Sequence, residues 1–269
     1  MNKFSLASTL GLLVMGAVGA HAAGSSACGD LSQAVCVAQV GDVNSAQVDA
    51  VGSGNGAGAI SAQTATGLRV MGSNSPAADI VMPGLASGVV SQEGRGNFVR
   101  VDIRGEQNDF HVSQRGDRNI ASQVVVGSGN NVAVEQGLSV GDSDNLSSQV
   151  QVGFNNVLRT RQQGSGNVAV QAQVPTEEAA LLAFAGGANA AAMENSLLGA
   201  LAGGADSNRI LLEQNGDGNE AYLAQVGFAN DIALRQQGGS EISIMQFGSG
   251  HSIGIEQPAG QRGVQILQY

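Results

Sequence analysis

Apolar and polar positions alternate strictly through long parts of this chain. After Asn108 the buried-parity positions are Phe110, Val112 and Gln114, with His111 and Ser113 between them. After Asn130 they are Val132, Val134 and Gln136, and after Asn208 they are Ile210, Leu212 and Gln214. After Asn230 they are Ile232, Leu234 and Gln236. Ile253, Ile255 and Gln257 follow His251, and Val264, Ile266 and Gln268 follow Arg262. Period two marks a strand with one buried face.

The strands belong to a repeat, Gln-x-Gly-x-x-Asn, that recurs every eleven residues. Copies stand at Gln39-Gly41-Asn44, Gln92-Gly94-Asn97, Gln114-Gly116-Asn119, Gln151-Gly153-Asn156 and Gln162-Gly164-Asn167. Two more stand at Gln214-Gly216-Asn219 and Gln225-Gly227-Asn230. Ile103-Gly105-Asn108 and Val125-Gly127-Asn130 keep the phase without the Gln. Gln236-Gly238-Glu241, Gln246-Gly248-His251 and Gln257-Ala259-Arg262 alter the last position. The step from Gln236 to Gln246 is ten residues, a deletion that a turn can absorb.

The Gly-x-x-Asn segments read as tight turns. Gly takes positive φ without steric cost, and Asn tolerates the left-handed region and bonds its own backbone. Two strands and two turns per 22 residues predict an all-β fold. It is a β-solenoid of two facing sheets with cross-β stacking, each layer advancing by about 4.7–4.9 Å. Ala121/Gln123, Ser147/Gln149 and Ala169/Gln171 are small or polar inward sets and face bulkier ones.

The repeated Gln is the most informative position. Fourteen places align from Gln92 to Gln268, and twelve hold Gln: 92, 114, 136, 151, 162, 173, 214, 225, 236, 246, 257 and 268. Gln151 joins despite an extra turn residue between Gly141 and Asn145. Their parity is buried, where an unbonded amide is costly. Stacked Gln side chains satisfy one another as a ladder, and turn Asn can do the same.

Composition adds the setting. The chain has 269 residues, with 40 Gly, no Trp and two Tyr, and a net charge of -10. Few aromatics and much Gly suit a repeat better than a conventional core. The acidic balance argues against nucleic-acid binding. Residues 1–22 read as a secretory leader: Lys3, an apolar run from Leu6 to Val18, and Ala20-His21-Ala22. Residues 23–38 carry Cys28 and Cys36, for which a local disulfide is the simplest reading. Residues 39–91 combine degenerate repeats with an irregular stretch holding Pro76 and Pro83. Regular repeats occupy 92–173 and 208–269. Between them, 174–207 is Ala/Leu-rich; phase favours a strand at 179–184 over a helix opened by Pro175, and 190–207 stays open.

No catalytic grouping is visible. His111 sits on an outward strand position and His251 in a turn, without Ser, Cys or carboxylate partners. No cofactor or metal ligand set is expected; calcium rolls use a nine-residue period, not eleven. Arg100, Asp102, Arg104, Arg159 and Arg161 have outward parity, suited to solubility or to slowing premature aggregation.

The repeats resemble those of the curlins, with the unit Ser/Asn-x5-Gln-x-Gly-x-x-Asn-x5-Gln. Asn156 to Gln173 and Asn208 to Gln225 match it in full, and Gln268-Tyr269 resembles the end of the major curlin. The resemblance implies export of an unfolded chain through the periplasm, with a chaperone and an outer-membrane channel. It implies polymerisation into adhesive biofilm fibres outside Gram-negative cells, with a minor subunit nucleating the major one. The expected function is a self-assembling fibre subunit; the alternatives are the nucleator of that fibre and a monomeric β-solenoid adhesin. The ladder would be the twelve Gln above. The turn set would be Gly94, Asn97, Gly116, Asn119, Gly127, Asn130, Gly153, Asn156, Gly164, Asn167, Gly216, Asn219, Gly227 and Asn230. Greater length, the Cys pair and residues 56–91 depart from the family pattern.

Overall fold

The computed structural model describes residues 36–139, 141–176 and 205–269. The expected leader, Cys28, the 179–184 strand and most of 190–207 lie outside the described residues. Among the described residues the fold is all-β, a solenoid of two facing parallel sheets.

The first layer is β1 (Cys36–Val40) and β2 (Ser45–Val51). The chain then leaves the solenoid through five short strands: β3 (Ala59–Ile60), β4 (Gln63–Ala65), β5 (Arg69–Val70), β6 (Ile80–Met82) and β7 (Leu85–Ala86). It re-enters as β8 (Val89–Glu93) and β9 (Phe98–Arg104). Three regular layers follow: β10 (Asp109–Arg115) with β11 (Ile120–Ser128), β12 (Asn131–Gln136) with β13 (Leu146–Phe154), and β14 (Val157–Gln163) with β15 (Val168–Val174). After the second long insertion, β16 (Ala205–Asp206) leads into β17 (Arg209–Asn215) and β18 (Glu220–Phe228). The last layers are β19 (Asp231–Gln237) with β20 (Glu241–Ser249), and β21 (Ser252–Gln257) with β22 (Val264–Gln268).

The first sheet runs β1-β8-β10-β12-β14-β17-β19-β21-β5, and the second β2-β9-β11-β13-β15-β18-β20-β22. Every pairing within both is parallel, as a coil of constant hand requires. The regular step is 22 residues, as from Gln92 to Gln114. It is 53 from Gln39 to Gln92, 26 from Gln136 to Gln162, 52 from Gln162 to Gln214 and 21 from Gln225 to Gln246. Insertions and the deletion therefore fall in corners, and the strand register survives each of them. The corner after Gln136 takes four residues beyond the regular step, rather than the single one expected.

Inward side chains build the core. Phe110, Val112, Val132, Val134, Leu158, Ile210, Leu212, Ile232 and Leu234 come from the first sheet, and Val99, Val101, Ile103, Leu223, Ile242 and Ile244 from the second. All are fully buried, and burial of each such side chain is worth about 1.5–3 kcal/mol.

The irregular segment after the first layer is a packed strap. Its ends meet: a Cβ on Gly56 would lie 3.0 Å from the Cα of Gly88. Between them the strap climbs the outer face of the first sheet. Ala65, Leu68, Ile80 and Met82 form a second small core against Leu211 and Ala233 of that sheet. The tip, β5, pairs parallel with β21, placing Arg69 opposite Ile255 and Val70 opposite Glu256.

Two expectations change. Arg159 points outward, as its parity demands, but the strap covers it and leaves it 1% exposed. Asn does not supply the left-handed corner residue. The residue before it does: Gln107, Arg118, Asp144, Asn155 and Ala229 have φ of 54–58°. The Asn side chain is committed to neighbouring layers, so the strained conformation falls on its solvent-side neighbour.

Candidate functional site: amide ladders and the solenoid ends

The repeated Gln forms two ladders rather than one. In the first sheet, Nε2 of Gln39, Gln92, Gln114, Gln136, Gln162, Gln214 and Gln236 each donates to Oε1 of the next, ending at Gln257, at 2.6–2.9 Å. In the second sheet, Gln151, Gln173, Gln225, Gln246 and Gln268 do the same at 2.6–2.9 Å. The other Nε2 hydrogen reaches a carbonyl across the corner. Gln114 bonds Phe98 O at 3.1 Å, Gln136 bonds Ile120 O at 3.0 Å and Gln214 bonds Val168 O at 2.9 Å. Gln closes most of the strands because its amide can join the layer ahead and the facing sheet together; Ile103 and Val125 hold that place in β9 and β11.

A third ladder lies in the middle of the core. Gln123 donates to Gln149 at 3.0 Å, and Gln149 donates to Gln171 at 3.1 Å. Thr160, facing from β14, donates to Gln171 Oε1 at 2.6 Å. Parity places these residues inward, but only their shared strand register makes them a ladder.

The corner asparagines add two more columns. The backbone N–H of Asn97 donates to Asn44 Oδ1, that of Asn119 to Asn97, of Asn145 to Asn119, of Asn167 to Asn145 and of Asn219 to Asn167, at 2.9–3.1 Å. The other column runs Asn55, Asn108, Asn130, Asn156, Asn208 and Asn230 at 3.0–3.1 Å. Ser240 continues the first column, so the ten-residue step puts Ser240, not Glu241, at the Asn position. Corner glycines let the layers approach this closely. Gly127 has φ of 124°, and a Cβ there would strike the carbonyl oxygen of Gly153 in the next layer. Gly94, Gly105, Gly116 and Gly227 are arranged likewise, while Gly164 and Gly216 also sit at positive φ against the following corner.

The internal ladders end on apolar residues and leave their end atoms unpaired. Gln151 Oε1 faces the layer of Val125, Gln123 Oε1 that of Val101, and Gln171 Nε2 that of Leu223. A ladder has an unfilled acceptor at one end and an unfilled donor at the other. The first-sheet ladder differs: it spans every layer, and both its ends reach the ends of the solenoid.

Charges on the outer faces also pair between layers. Arg209 meets Asp231 at 2.6 Å, and Arg235 meets Glu213 at 2.8 Å and Glu256 at 3.4 Å. The Arg118–Asp144 pair, at 2.7 Å, is exposed. Hydrogen bonds from Arg118 hold the Asp144 carboxyl below its ordinary range.

The strap is anchored by outward cations. Arg159 Nη1 donates to Pro83 O at 2.8 Å and Ser61 O at 3.3 Å, and Arg235 donates to Ala78 O and Asp79 O, both at 2.7 Å. Burial lowers the Arg159 pKa, Glu135 opposes the shift, and Arg161 adds to it. His111 Nδ1 carries its hydrogen toward Ala86 O, 2.9 Å away. Burial lowers the His111 pKa against the pull of that bond and of Glu135, with Arg159 lowering it further.

The two ends differ. Among the described residues, β1, β2 and β22 each pair on one side only. The edge of β21 is partly covered: β5 lies against Ile255 and Glu256, and Met71 N–H bonds Glu256 O at 2.7 Å. Phe247 and Tyr269 stack with ring centroids 5.4 Å apart beside β22. Cys36 is disulfide-bonded. Among the described residues, no group of His, Cys, Asp or Glu has the geometry of a metal site.

No curated protein and no solved structure matches the chain. Among family models, the curlin associated repeat matches residues 205–238, which hold β16 to β19 and their corners. Its resemblance to the curlins thus rests on a matched repeat as well as on the Gln, Gly and Asn that stack its layers.

Proposed function

We propose that the chain is a secreted structural subunit that stacks end to end into extracellular curli-like fibres. The observation that carries this reading is the first-sheet ladder. At one end Gln257 Nε2 donates only to the carbonyls of Glu241 and Gln261, both at 2.9 Å, and has no further Gln to meet. At the other end Gln39 donates to Gln92, and among the described residues its Oε1 has no donor below it in the column. A second copy would give Gln39 Oε1 a donor, would offer Gln257 Nε2 a ladder amide in place of the Gln261 carbonyl, and would bury new apolar layers. The curlin-like repeat supports export through the periplasm and a role in adhesion and biofilm matrix. A chaperone, an outer-membrane channel and a nucleating or major co-subunit would be its partners.

A second reading, a monomeric solenoid adhesin, is favoured by one feature: β5 covers part of the β21 edge. Electron microscopy of residues 23–269 diluted from denaturant separates the two. Unaided fibres that seed fresh monomer support the subunit reading, and a stable β-rich monomer supports the adhesin.

A further inference from the structure

The strap tip lies where a second copy would begin. Continuing the two sheets beyond β21 and β22 in register would place the next copy's Gln39 over Gln257 and its Val37 over Ile255. The same register places Ala46 over Val264 and Val48 over Ile266. Those pairings follow from the step that already sets Gln39 against Gln92 and Val48 against Val101. The seat for Val37 and Ala38 is filled by Arg69 and Val70 of the chain itself.

We propose that Leu68–Met71 is a removable clip that blocks addition of a second copy at this end, so that withdrawal of the strap tip gates assembly. The proposal rests on the fibre-subunit reading. Three observations carry it. First, the clip is built rather than accidental. Leu68 is 1% exposed and lies over Gly254, where a Cβ would come 3.4 Å from the Leu68 Cα. The outward residue at the matching place in earlier layers is Ala133, Arg159, Leu211 or Ala233, so the gap at Gly254 fits the clip. Met71 packs against the end of the main core. Second, the clip is short. Two register pairs hold it, whereas six join β19 to β21, so a copy bringing all of β1 offers the longer pairing. Third, the clip can withdraw without disturbing the layers. The strap leaves and returns at Gly56 and Gly88, which are in contact, and the 22-residue step holds in the next layers above them.

Three variants of the mature chain test the gate. Leu68→Asp should expel the tip. Deleting residues 57–87 joins Gly56 to Gly88 and removes the strap. A Val70→Cys, Glu256→Cys pair, at directly opposed positions, should lock the tip when oxidised. The readout is the elongation rate from preformed wild-type seeds, with Val70→Cys alone as the control. The proposal expects the two released variants to elongate several-fold faster than the parent and the locked one several-fold slower. Equal rates in all variants would overturn the clip and leave the fibre reading standing. No fibres from any variant, the strapless one included, would overturn both.

Discussion

Gln136 Nε2 donates to Gln162 Oε1 at 2.8 Å although 26 residues separate them, four more than the regular step. The corner loop between β12 and β13 absorbs the extra length and the amides still meet. The chain thus holds the ladder constant and lets loop length vary. Register in this fold is set by side-chain amides as well as by backbone pairing.

The ladders should therefore be unequal in their tolerance of loss. Gln162→Leu leaves Gln214 Oε1 without its donor in a dry column and should destabilise by about 1–3 kcal/mol. Gln171→Leu also removes an amide, but its Nε2 is already unpaired, and Thr160 can still accept from Gln149. It should cost less than Gln162→Leu, because an orphaned Nε2 leaves with it and only the Thr160 hydroxyl loses an acceptor. Midpoints of denaturant unfolding at constant slope compare the two; equal losses would refute the distinction.

Gly127→Ala tests the close approach of corners. The residue would need a positive φ and would drive a methyl into the carbonyl of Gly153. A loss well above that of Gly166→Ala is expected: at exposed Gly166 φ is also positive but no atom lies within 4 Å, so only the left-handed backbone strain of about 1–2 kcal/mol is added. Equal unfolding midpoints for the two variants would contradict the steric account.

Arg159 was an outward charge by parity and so a candidate for slowing aggregation from the surface. Its bonds to Ser61 and Pro83 assign it to holding the strap instead. Arg159→Ala should orphan those carbonyls and loosen residues 57–87. Limited proteolysis should then cut within the strap several-fold faster while the layers stay protected. Unchanged cleavage would show that the anchor is dispensable.

His111 gives the strap a pH dependence. Its folded pKa lies below the ordinary 6.5, chiefly through burial. Unfolding then takes up a proton in the window between the folded value and 6.5, so stability rises with pH there and is level above it. As pH falls from 6.5 through the folded value, that stability is lost. Glu135 and Arg159 face the ring and act in opposite directions. His111→Gln should flatten the dependence of unfolding on pH just below 6.5, and an unchanged slope would assign it to other groups.

Much of the layer structure was legible because a period of two and a step of 22 leave few other arrangements for Gln, Gly and Asn. The strap was not legible. Residues 57–87 have no period, and their place depends on Leu211, Ala233 and Gly254, whose outward parity looks like ordinary solvent exposure. The same blindness hid the burial of Arg159. The central ladder was half legible: parity turned Gln123, Gln149 and Gln171 inward, but which layers they shared required the corner lengths. The left-handed residue was misplaced because Asn has two talents, local turn geometry and amide stacking, and here the second wins.

Mass per unit length of assembled fibres, measured by scanning transmission electron microscopy, tests the central claim most directly. The eight described layers occupy about 38 Å at about 4.8 Å each, so a head-to-tail column of the mature chain, about 25 kDa of the full 27.0 kDa, should weigh about 0.65 kDa per Å, or a whole multiple in bundled fibres. A value of about 5.2 kDa per Å, one mature chain per strand spacing, would contradict the solenoid stack, and a persistent monomer would contradict assembly itself.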